Sequence, residues 1–262
     1  MTTTYGHNTL FKDLAALLTG QLFLPDDIAY EQVRQLWNGR VKTHPAAIAR
    51  CLTVQDVIHT VRWIRAQGLP LSVRGAGHDF AGRALSENGV VIDLSQMRAV
   101  TIDPDARTAH VQGGTTAGDL IEAAQKYGLA TATGTISSVG MSGLTLGGGY
   151  GPLTGAYGLG ADNLLSAQVV TADGQLITAN VEEHSDLLWG LRGGGGNFGV
   201  VVSLEFRLHP LTTVLSGMLL YPLKQARAVF RQFSEFIATA PDELTIRSGF
   251  IQTPGGETVL FL

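Results

Sequence analysis

The chain has 262 residues, of which 45% are hydrophobic, so it can bury a sizeable core and is expected to form more than one lobe. Only 15% of the residues are charged, the formal net charge is −4, and no cluster of lysine and arginine could follow a phosphate backbone, so we predict no nucleic-acid partner. The single cysteine, Cys51, excludes an internal disulfide and a cysteine-based metal cluster, and we expect no metal site.

Residues 1–20 contain no basic head followed by an apolar run, so no secretory signal is indicated. No stretch of about 18 apolar residues is present that could span a bilayer. We therefore predict a cytoplasmic protein that does not associate with a membrane. The sequence does not indicate an oligomeric state.

Two helices are predicted before residue 40. Apolar residues at helical spacing favour a helix over 8–18. Asp26 and Asp27 are expected to cap a second helix that runs through Trp37 and stops at Gly39. Trp37 lies on the apolar side of that helix, which predicts that it is a core residue.

A strand–helix–strand unit of α/β type follows. The pattern predicts a strand over 46–52 that carries a buried, inert Cys51, and a helix from Thr53 that ends at Gly68. The second strand, over 70–74, is expected to bury its apolar side chains, Leu71 and Val73.

Short strands dominate the next part of the chain. In order, we predict three strands (90–94, 99–103 and 108–112), a capped helix (115–127), a hairpin (164–171 and 175–179) across Asp173-Gly174, a helix (184–192) and a strand (200–208). Trp189 lies on the apolar side of the last helix and is also predicted to be a core residue.

A new series of predicted strands and a helix begins after Pro210, and we predict a domain boundary there, between residues 1–210 and 211–262. The second domain is expected to contain strands over 214–221, 243–251 and 258–262 and a helix over 224–238. Its last strand is apolar with no polar tail after it, so we expect this domain to be incomplete.

The segment from Leu71 to Phe80 predicts a strand that enters a glycine-paired turn and ends on His78. A Rossmann fingerprint would need a third glycine or alanine and then an amphipathic helix, but Phe80 takes the glycine position and residues 81–88 are polar. A nicotinamide-dependent dehydrogenase is therefore disfavoured.

A second glycine-rich segment runs from Gly134 to Gly143 and into a short helix expected over 141–146. Backbone amides at such a helix start could bind a pyrophosphate. Residues 147–151 and 193–199 are further glycine blocks, and together these blocks predict an extended cofactor in a glycine-lined groove. Hydroxyl donors in the loop would be Ser137, Ser138 and Ser142.

Taken alone, His78 allows a structural interpretation, in which it is bonded to the carboxylate of its neighbour Asp79. Arg74 could likewise be a solvated charge at a strand end.

Six motifs that follow one another along the chain favour a functional role for His78 over the structural interpretation. They are Val73-Arg-Gly-Ala-Gly-His78, Val91 to Ser95, Gly134 to Gly143, Leu146 to Gly151, Tyr157 to Asn163 and Leu188 to Gly199. Together they resemble the FAD-linked oxidases of the berberine-bridge-enzyme type, in the vanillyl-alcohol-oxidase/PCMH flavoprotein superfamily. The resemblance extends from about Trp37 to Pro210.

The resemblance implies an α+β fold, with a PCMH-type FAD-binding domain of two α/β subdomains and then the start of an antiparallel-sheet substrate domain. It implies an FAD-dependent oxidase that takes a hydride from a small organic donor onto flavin N5 and is reoxidised by dioxygen. His78 would carry FAD covalently through its 8α-methyl group. The cofactor-binding residues carried over are Arg74, Gly75, Ala76, Gly77, His78, Asp79, Gly134, Thr135, Val139, Gly140, Ser142, Gly143, Gly149 and Val200.

Two further expectations follow from the same resemblance. Ile136 occupies the position of the cysteine that forms a second flavin link in some members, so no second link is expected. The small Val139 stands beside the flavin and is typical of an oxidase that admits dioxygen.

The family's catalytic base lies beyond the last residue of this chain, so no residue is nominated for that role. An alternative is a non-catalytic FAD-binding fragment or pseudoenzyme. The fold does not indicate which donor is oxidised.

Overall fold

The computed structural model describes residues 10–211 and 213–262. The first described elements are α1 (Lys12–Leu17), β1 (Gln21–Phe23), α2 (Tyr30–Val33), β2 (Ala47–Arg50), α3 (Val54–Gln67), β3 (Leu71–Arg74), β4 (Val90–Asp93), β5 (Val100–Asp103), β6 (Thr108–Gln112), α4 (Ala117–Gln125) and β7 (Leu129–Ala130). They are followed by α5 (Met141–Leu146), α6 (Thr154–Tyr157), a 3-10 turn (Ala161–Asn163), β8 (Leu164–Val170), β9 (Leu176–Ala179), α7 (Ser185–Leu191), β10 (Val200–Arg207) and β11 (His209–Pro210). The last are β12 (Leu220–Pro222), a 3-10 turn (Leu223–Gln225), α8 (Ala226–Ile237), β13 (Gly249–Gln252) and β14 (Thr258–Phe261).

Two large sheets, and a small two-stranded sheet in which β7 pairs with β11, form the described part of the chain up to Pro210. The first has the order β1-β2-β4-β3, with β2, β4 and β3 parallel and β1 antiparallel to β2. The second has the order β5-β6-β10-β8-β9 and is antiparallel throughout. The three strands predicted in succession over 90–112 are therefore confirmed, but they divide between the two sheets.

Helix α3 lies between the two sheets and fills the space with apolar side chains. Its Val57, Val61 and Ile64 are buried in one cluster with Val90 and Ile92 of β4 and with residues of β10. Val201 of β10 points to the opposite face from Val200 and Val202, and after the β-bulge between Val201 and Ser203 the side chains of Leu204 and Phe206 lie on that face too. They pack into a second cluster that includes α4 and α7. The result is mixed α/β, with several layers and more than one core.

The predicted strand–helix–strand unit is confirmed as β2, α3 and β3, and the predicted capping residues mark both ends of the helix. Thr53 and Asp56 form a capping box at the start of α3, and Gly68 ends the helix in the left-handed conformation at φ 66°. The carboxylate of Asp56 also accepts hydrogen bonds from the amides of Thr19 (2.8 Å) and Leu52 (2.9 Å), which ties the segment before β1 to this helix. Cys51 is fully buried, as predicted.

The helix predicted from Asp26 to Trp37 is wrong in extent. Asp27 accepts a hydrogen bond from the amide of Leu24 (2.7 Å), closing a turn, and only Tyr30–Val33 is helical. The side chain of Trp37 is 56% exposed rather than in the core. Strand β1 was not predicted. The helix predicted over 8–18 is observed over Lys12–Leu17, and residues 8 and 9 lie outside the described residues.

After residue 213 the chain forms a three-stranded antiparallel sheet of order β12-β14-β13, with α8 beside it. The strands predicted over 214–221 and 243–251 are shorter than expected, since only Leu220–Pro222 and Gly249–Gln252 are extended. This sheet contains only strands that follow residue 210, while the domain boundary itself stays a prediction.

Candidate cofactor site

The segment that carries His78 leaves the first sheet at the carboxyl end of β3. Arg74, the last residue of β3, lies opposite Asp93, the last residue of β4. The prediction that Leu71 and Val73 are buried is wrong for Leu71, which is 41% exposed, and Val73 is only half-buried. The reason is that β3 is the edge strand of its sheet.

Only one of the paired glycines in this turn needs a backbone conformation that favours glycine. Gly77 has a φ of 77°, whereas Gly75 has an ordinary negative φ. Two hydrogen bonds to its main-chain carbonyls hold the turn in place: the amide of Trp37 donates to Gly77 O (3.0 Å), and the side chain of Asn38 donates through Nδ2 to Phe80 O (2.8 Å).

The backbone amides of this turn have no hydrogen-bond acceptor within the described part of the chain. This holds for the amide of every residue from 75 to 79. Five successive N–H groups without an internal acceptor are unusual, because buried and half-buried amides normally find a partner. A row of free amides is a site for an anion, since each N–H carries partial positive charge.

A cation lies beneath these amides. A Cβ atom on Gly77 would be 3.1 Å from Arg74 Nε and 3.3 Å from Nη2, so the guanidinium packs directly against the turn. Nη1 donates to Val33 O, while Nε is buried without a partner among the described residues. Burial lowers the pKa of Arg74, and Asp93 opposes this effect. Arg74 is therefore not a solvated strand-end charge.

The second glycine-rich segment meets this turn at close range. A Cβ atom on Gly140 would lie 3.0 Å from Ala76 N and 3.1 Å from Ala76 Cβ. On the other side of the turn, a Cβ atom on Gly75 would lie 3.5 Å from Gly113 O. The first two glycine segments therefore converge, as the groove hypothesis expected.

Two donors that were expected to face the ligand are used within the protein. Ser142 Oγ donates to Gly113 O (2.7 Å), and the amide of Met141, at the start of α5, donates to Thr115 O (2.8 Å). The exposed hydroxyls of Ser137 and Ser138 remain at the surface of the segment.

His78 does not bond to its neighbour Asp79, whose carboxylate accepts instead from the amides of Ala81 (3.2 Å) and Ala84 (3.0 Å). His78 Nε2 lies 2.9 Å from Ser138 Oγ, which is 60 positions further along the chain.

Trp37 belongs to this site rather than to the core. Its indole stacks on the imidazole of His78, with ring centroids 5.6 Å apart. Trp189, the other tryptophan predicted as core, is 80% exposed on α7. Sequence reasoning missed Trp37 because the apolar spacing suggested a helix that does not form.

A cleft of about 510 Å³ opens beside Ala76, Ser137 and Ser138. None of its other lining residues was among the predicted cofactor-binding residues; they are Ser95, Arg98, Gly114, Thr116, Gly118, Asp119 and Glu122. Arg98 is paired there with Asp119 (2.6 Å), and the capping box of Thr116 with Asp119 fixes the start of α4. The pattern of Thr116 and Asp119 indicated a helix start, but nothing in the sequence placed that start beside His78.

The other predicted cofactor-binding residues differ in their exposure and in their contacts. Gly134 and Gly149 both pack on Leu144, and Gly143 faces open space. Val200 begins β10, two residues before Val202, whose carbonyl accepts from the amide of Gly113 (2.8 Å). Thr135 is exposed, and Val139 is half-buried with its carbonyl bonded to the amide of Ala117 (2.9 Å).

The geometry fits a cofactor that contains a pyrophosphate. Free amides over a buried guanidinium would compensate its negative charge. Ala76 of this turn lines the cleft together with Ser137 and Ser138, so a cofactor bound at the amides can also occupy the cleft. The fold and site together define a candidate flavin-binding protein.

Residues 45–180, about half of the chain, match the family model described as FAD binding domain. The protein therefore belongs to this family, in the vanillyl-alcohol-oxidase/PCMH flavoprotein superfamily.

Known relatives agree with this assignment. The chain is 42% identical over 194 residues to (R)-6-hydroxynicotine oxidase of Paenarthrobacter nicotinovorans, covering 74% of this chain and 42% of that protein. It is 33% identical over 253 residues to an FAD-linked oxidoreductase of Gibberella zeae, covering 96% of this chain and 50% of that one.

Solved structures show the same fold. 6-Hydroxy-D-nicotine oxidase of Arthrobacter nicotinovorans superposes with a TM-score of 0.88 at 34% identity, over 93% of this chain and 55% of that one. The berberine-bridge-enzyme-like protein 1 of Physcomitrella patens gives 0.85 at 28% identity, over 96% and 55%.

The chain spans about half the length of the curated relatives it matches. Within the described residues, no helix has both the length and the apolar character needed to cross a membrane.

Proposed function

We propose that this chain binds FAD between the His78 turn and the segment that carries Ser138, and that it serves an FAD-dependent oxidase. The observation that carries the proposal is the row of free amides from 75 to 79, lying over Arg74 and next to the cleft. Bound FAD would supply hydride acceptance at flavin N5 and electron transfer to dioxygen. The residues of the chain would bind, orient and tether it.

Arg74 and the amides of the turn would hold the pyrophosphate. Hydrogen bonds to an ionised group contribute about 1.5–3 kcal/mol each, so several of them support tight binding. The pair of Arg50 with Asp93 (3.0 Å), which lies at the end of β4, helps to fix the strand end from which the turn starts.

His78 would carry the covalent bond to the 8α carbon, as the family resemblance implies. Its imidazole contacts Ser138, which lines the cleft, and burial lowers its pKa, which favours the neutral ring that can act as a nucleophile. A second link through Cys51 is unsupported, because that thiol is fully buried and burial raises its pKa to about 12. Ile136 occupies the position from which a second link would be made.

The electron acceptor is proposed to be dioxygen, because Val139 is small and half-buried next to Ser138. The organic donor is a small molecule whose class stays open, since the relatives are named as oxidases of hydroxynicotine and of chitooligosaccharide. No residue of this chain is proposed as the base. A cytoplasmic location also stays a prediction.

The test begins with the purified chain. FAD binding should give a yellow protein, and Arg74→Gln should weaken binding by about tenfold or more through loss of one charged donor. Arg231→Gln is the matched control, because Arg231 is exposed on α8. A colourless protein that binds NAD saturably instead of FAD would contradict the proposal.

Turnover is tested separately, because the chain is about half as long as its relatives. The reduced protein should be reoxidised by air with release of hydrogen peroxide, and a panel of cyclic amines and oligosaccharides tests donors. Binding of FAD without peroxide from any donor would favour the second candidate, an FAD-binding chain without catalysis, which the partial coverage of relatives supports.

A further inference from the structure

The imidazole of His78 is held on two sides by residues distant in sequence. Nε2 is bonded to Ser138 Oγ at 2.9 Å. The Trp37 indole stacks on the ring at an interplanar angle of 24°, and Phe80 packs edge-on against the indole at 5.1 Å. Rotation of the imidazole out of this position would break the hydrogen bond and the stacking together.

The backbone on each side of these contacts is also fixed. The carbonyls that flank Ser138, those of Ser137 and Val139, accept from the amides of Gly118 (2.8 Å) and Ala117 (2.9 Å) at the start of α4. Trp37 is bonded through its amide to the turn that carries His78 (3.0 Å). The hydroxyl and the indole are therefore held at set positions relative to the imidazole.

The hydrogen bond to Ser138 leaves the other ring nitrogen free. Within residues 10–211 and 213–262, Nδ1 of His78 has no hydrogen-bond partner. In a neutral imidazole one nitrogen donates and the other carries a lone pair. If Nε2 carries the hydrogen and donates it to Ser138, the lone pair is on Nδ1.

We infer that Ser138 is a positioning residue for the flavin tether: its hydroxyl accepts the Nε2 hydrogen and presents the Nδ1 lone pair of His78 to the 8α carbon, while Trp37 fixes the plane of the ring. This inference rests on the proposed function, because it requires FAD in the cleft and a bond to His78.

The step has a defined balance. A bond forms between Nδ1 and the 8α carbon, and one C–H bond of that methyl group breaks. The methyl group loses a proton and two electrons, and the alkylated imidazole releases its Nε2 proton to solvent, while Ser138 Oγ only accepts the hydrogen bond that orients the ring. Dioxygen takes up the two electrons and both protons and leaves as hydrogen peroxide, so the flavin is oxidised before and after the step.

The test measures the rate of covalent FAD incorporation into the full chain, prepared without flavin and mixed with FAD in air. Ser138→Ala and Ser138→Val should slow incorporation by about tenfold or more, because a nucleophile that is no longer held in the attacking orientation loses up to about 10²-fold in rate. Ser138→Thr, which keeps the hydroxyl and has the shape of valine, should restore a rate near that of the wild type. Ser234→Ala, on the exposed side of α8, is the matched control and should behave as the wild type.

A second readout separates positioning from binding. The dissociation constant for FAD before the bond forms should be the same in Ser138→Thr and Ser138→Val. Incorporation at the wild-type rate in Ser138→Val, or equally slow incorporation in Ser138→Thr, would overturn the inference and leave the tether at His78 standing. If the wild-type chain binds FAD but never forms the bond, the tether proposed at His78 fails, and this inference fails with it.

Discussion

Replacement of Gly140 by alanine tests whether the two glycine segments must touch for the cofactor site to form. Gly140 has φ −72° and ψ 131°, a conformation that alanine adopts without strain. Its added Cβ would meet Ala76 N at 3.0 Å and Ala76 Cβ at 3.1 Å. Any penalty must therefore come from the close approach of the two segments rather than from the backbone conformation.

The size of the effect follows from these distances. Nonbonded carbon atoms prefer about 3.5–4.0 Å, so the turn must move by about 0.5 Å. Overpacking of this kind costs about 1–3 kcal/mol, and alanine recovers about 0.4–1 kcal/mol by restricting the unfolded chain. We expect a net loss of about 1 kcal/mol in the free energy of unfolding, a fall in Tm of about 2–4 °C and, because the moved turn carries the free amides, about tenfold weaker FAD binding.

Thermal unfolding and FAD titration measure the two effects in parallel. Gly217→Ala is the control, because a Cβ atom at Gly217 would have no neighbour within 4 Å. Ala76→Gly in the Gly140→Ala background removes the Cβ–Cβ contact and should recover part of the loss. Unchanged FAD affinity in Gly140→Ala would show that the approach of the two segments does not shape the site.

Three further predictions concern the frame that holds the site. Asp56→Ala should cost about 3 kcal/mol in urea unfolding, since the carboxylate caps α3 and accepts several backbone amides. Burial alone would raise the pKa of Asp56, but these hydrogen bonds outweigh burial and lower the pKa. The stability that they contribute is therefore full above about pH 4 and is lost as the pH falls through the native pKa of Asp56. Asp56→Ala should lose this acid dependence, and an unchanged profile of stability against pH would contradict the prediction. Cys51 should not react with a thiol reagent at pH 8 until the protein unfolds, because its thiol is buried with a pKa of about 12, and rapid labelling of the native protein would be the contrary result. In Gly155→Ala the new Cβ would lie 1.9 Å from the carbonyl oxygen of Asp242, so the segment at Asp242 should be displaced. Trypsin should then cleave faster after Arg247 than in the wild type, and equal cleavage rates would refute that contact.

Capping residues, apolar spacing and turn residues were sufficient to predict those helices and hairpins whose ends are fixed by residues of the same segment. Helix α3 is the clearest case, since Thr53, Asp56 and Gly68 mark its two ends and its apolar spacing fits burial between two sheets. The hairpin of β8 and β9 was predictable for the same reason, because its turn carries Gly174 at φ 75°. The convergence of the first two glycine segments was predicted from the glycine blocks themselves, because several of them in one domain indicated a common groove.

Contacts between distant segments could not be predicted in this way. Ser138 and Trp37 reach His78 from positions that no local periodicity relates to it. The helix expected to bury Trp37 fails because Asp27 closes a turn with Leu24 before it can act as a cap. Arg74 gave no sequence signal of burial, since its position depends on how the turn folds back over it.

The central claim is that His78 is the covalent attachment point for FAD. The chain should be precipitated with acid, digested, and its flavin-bearing peptide sequenced by mass spectrometry. We predict one FAD on the peptide that contains His78, no covalent flavin in His78→Ala, and full labelling in His110→Ala, whose side chain lies on the exposed face of the second sheet. Release of all flavin into the acid supernatant from the wild-type chain, or attachment at another residue, would contradict the account.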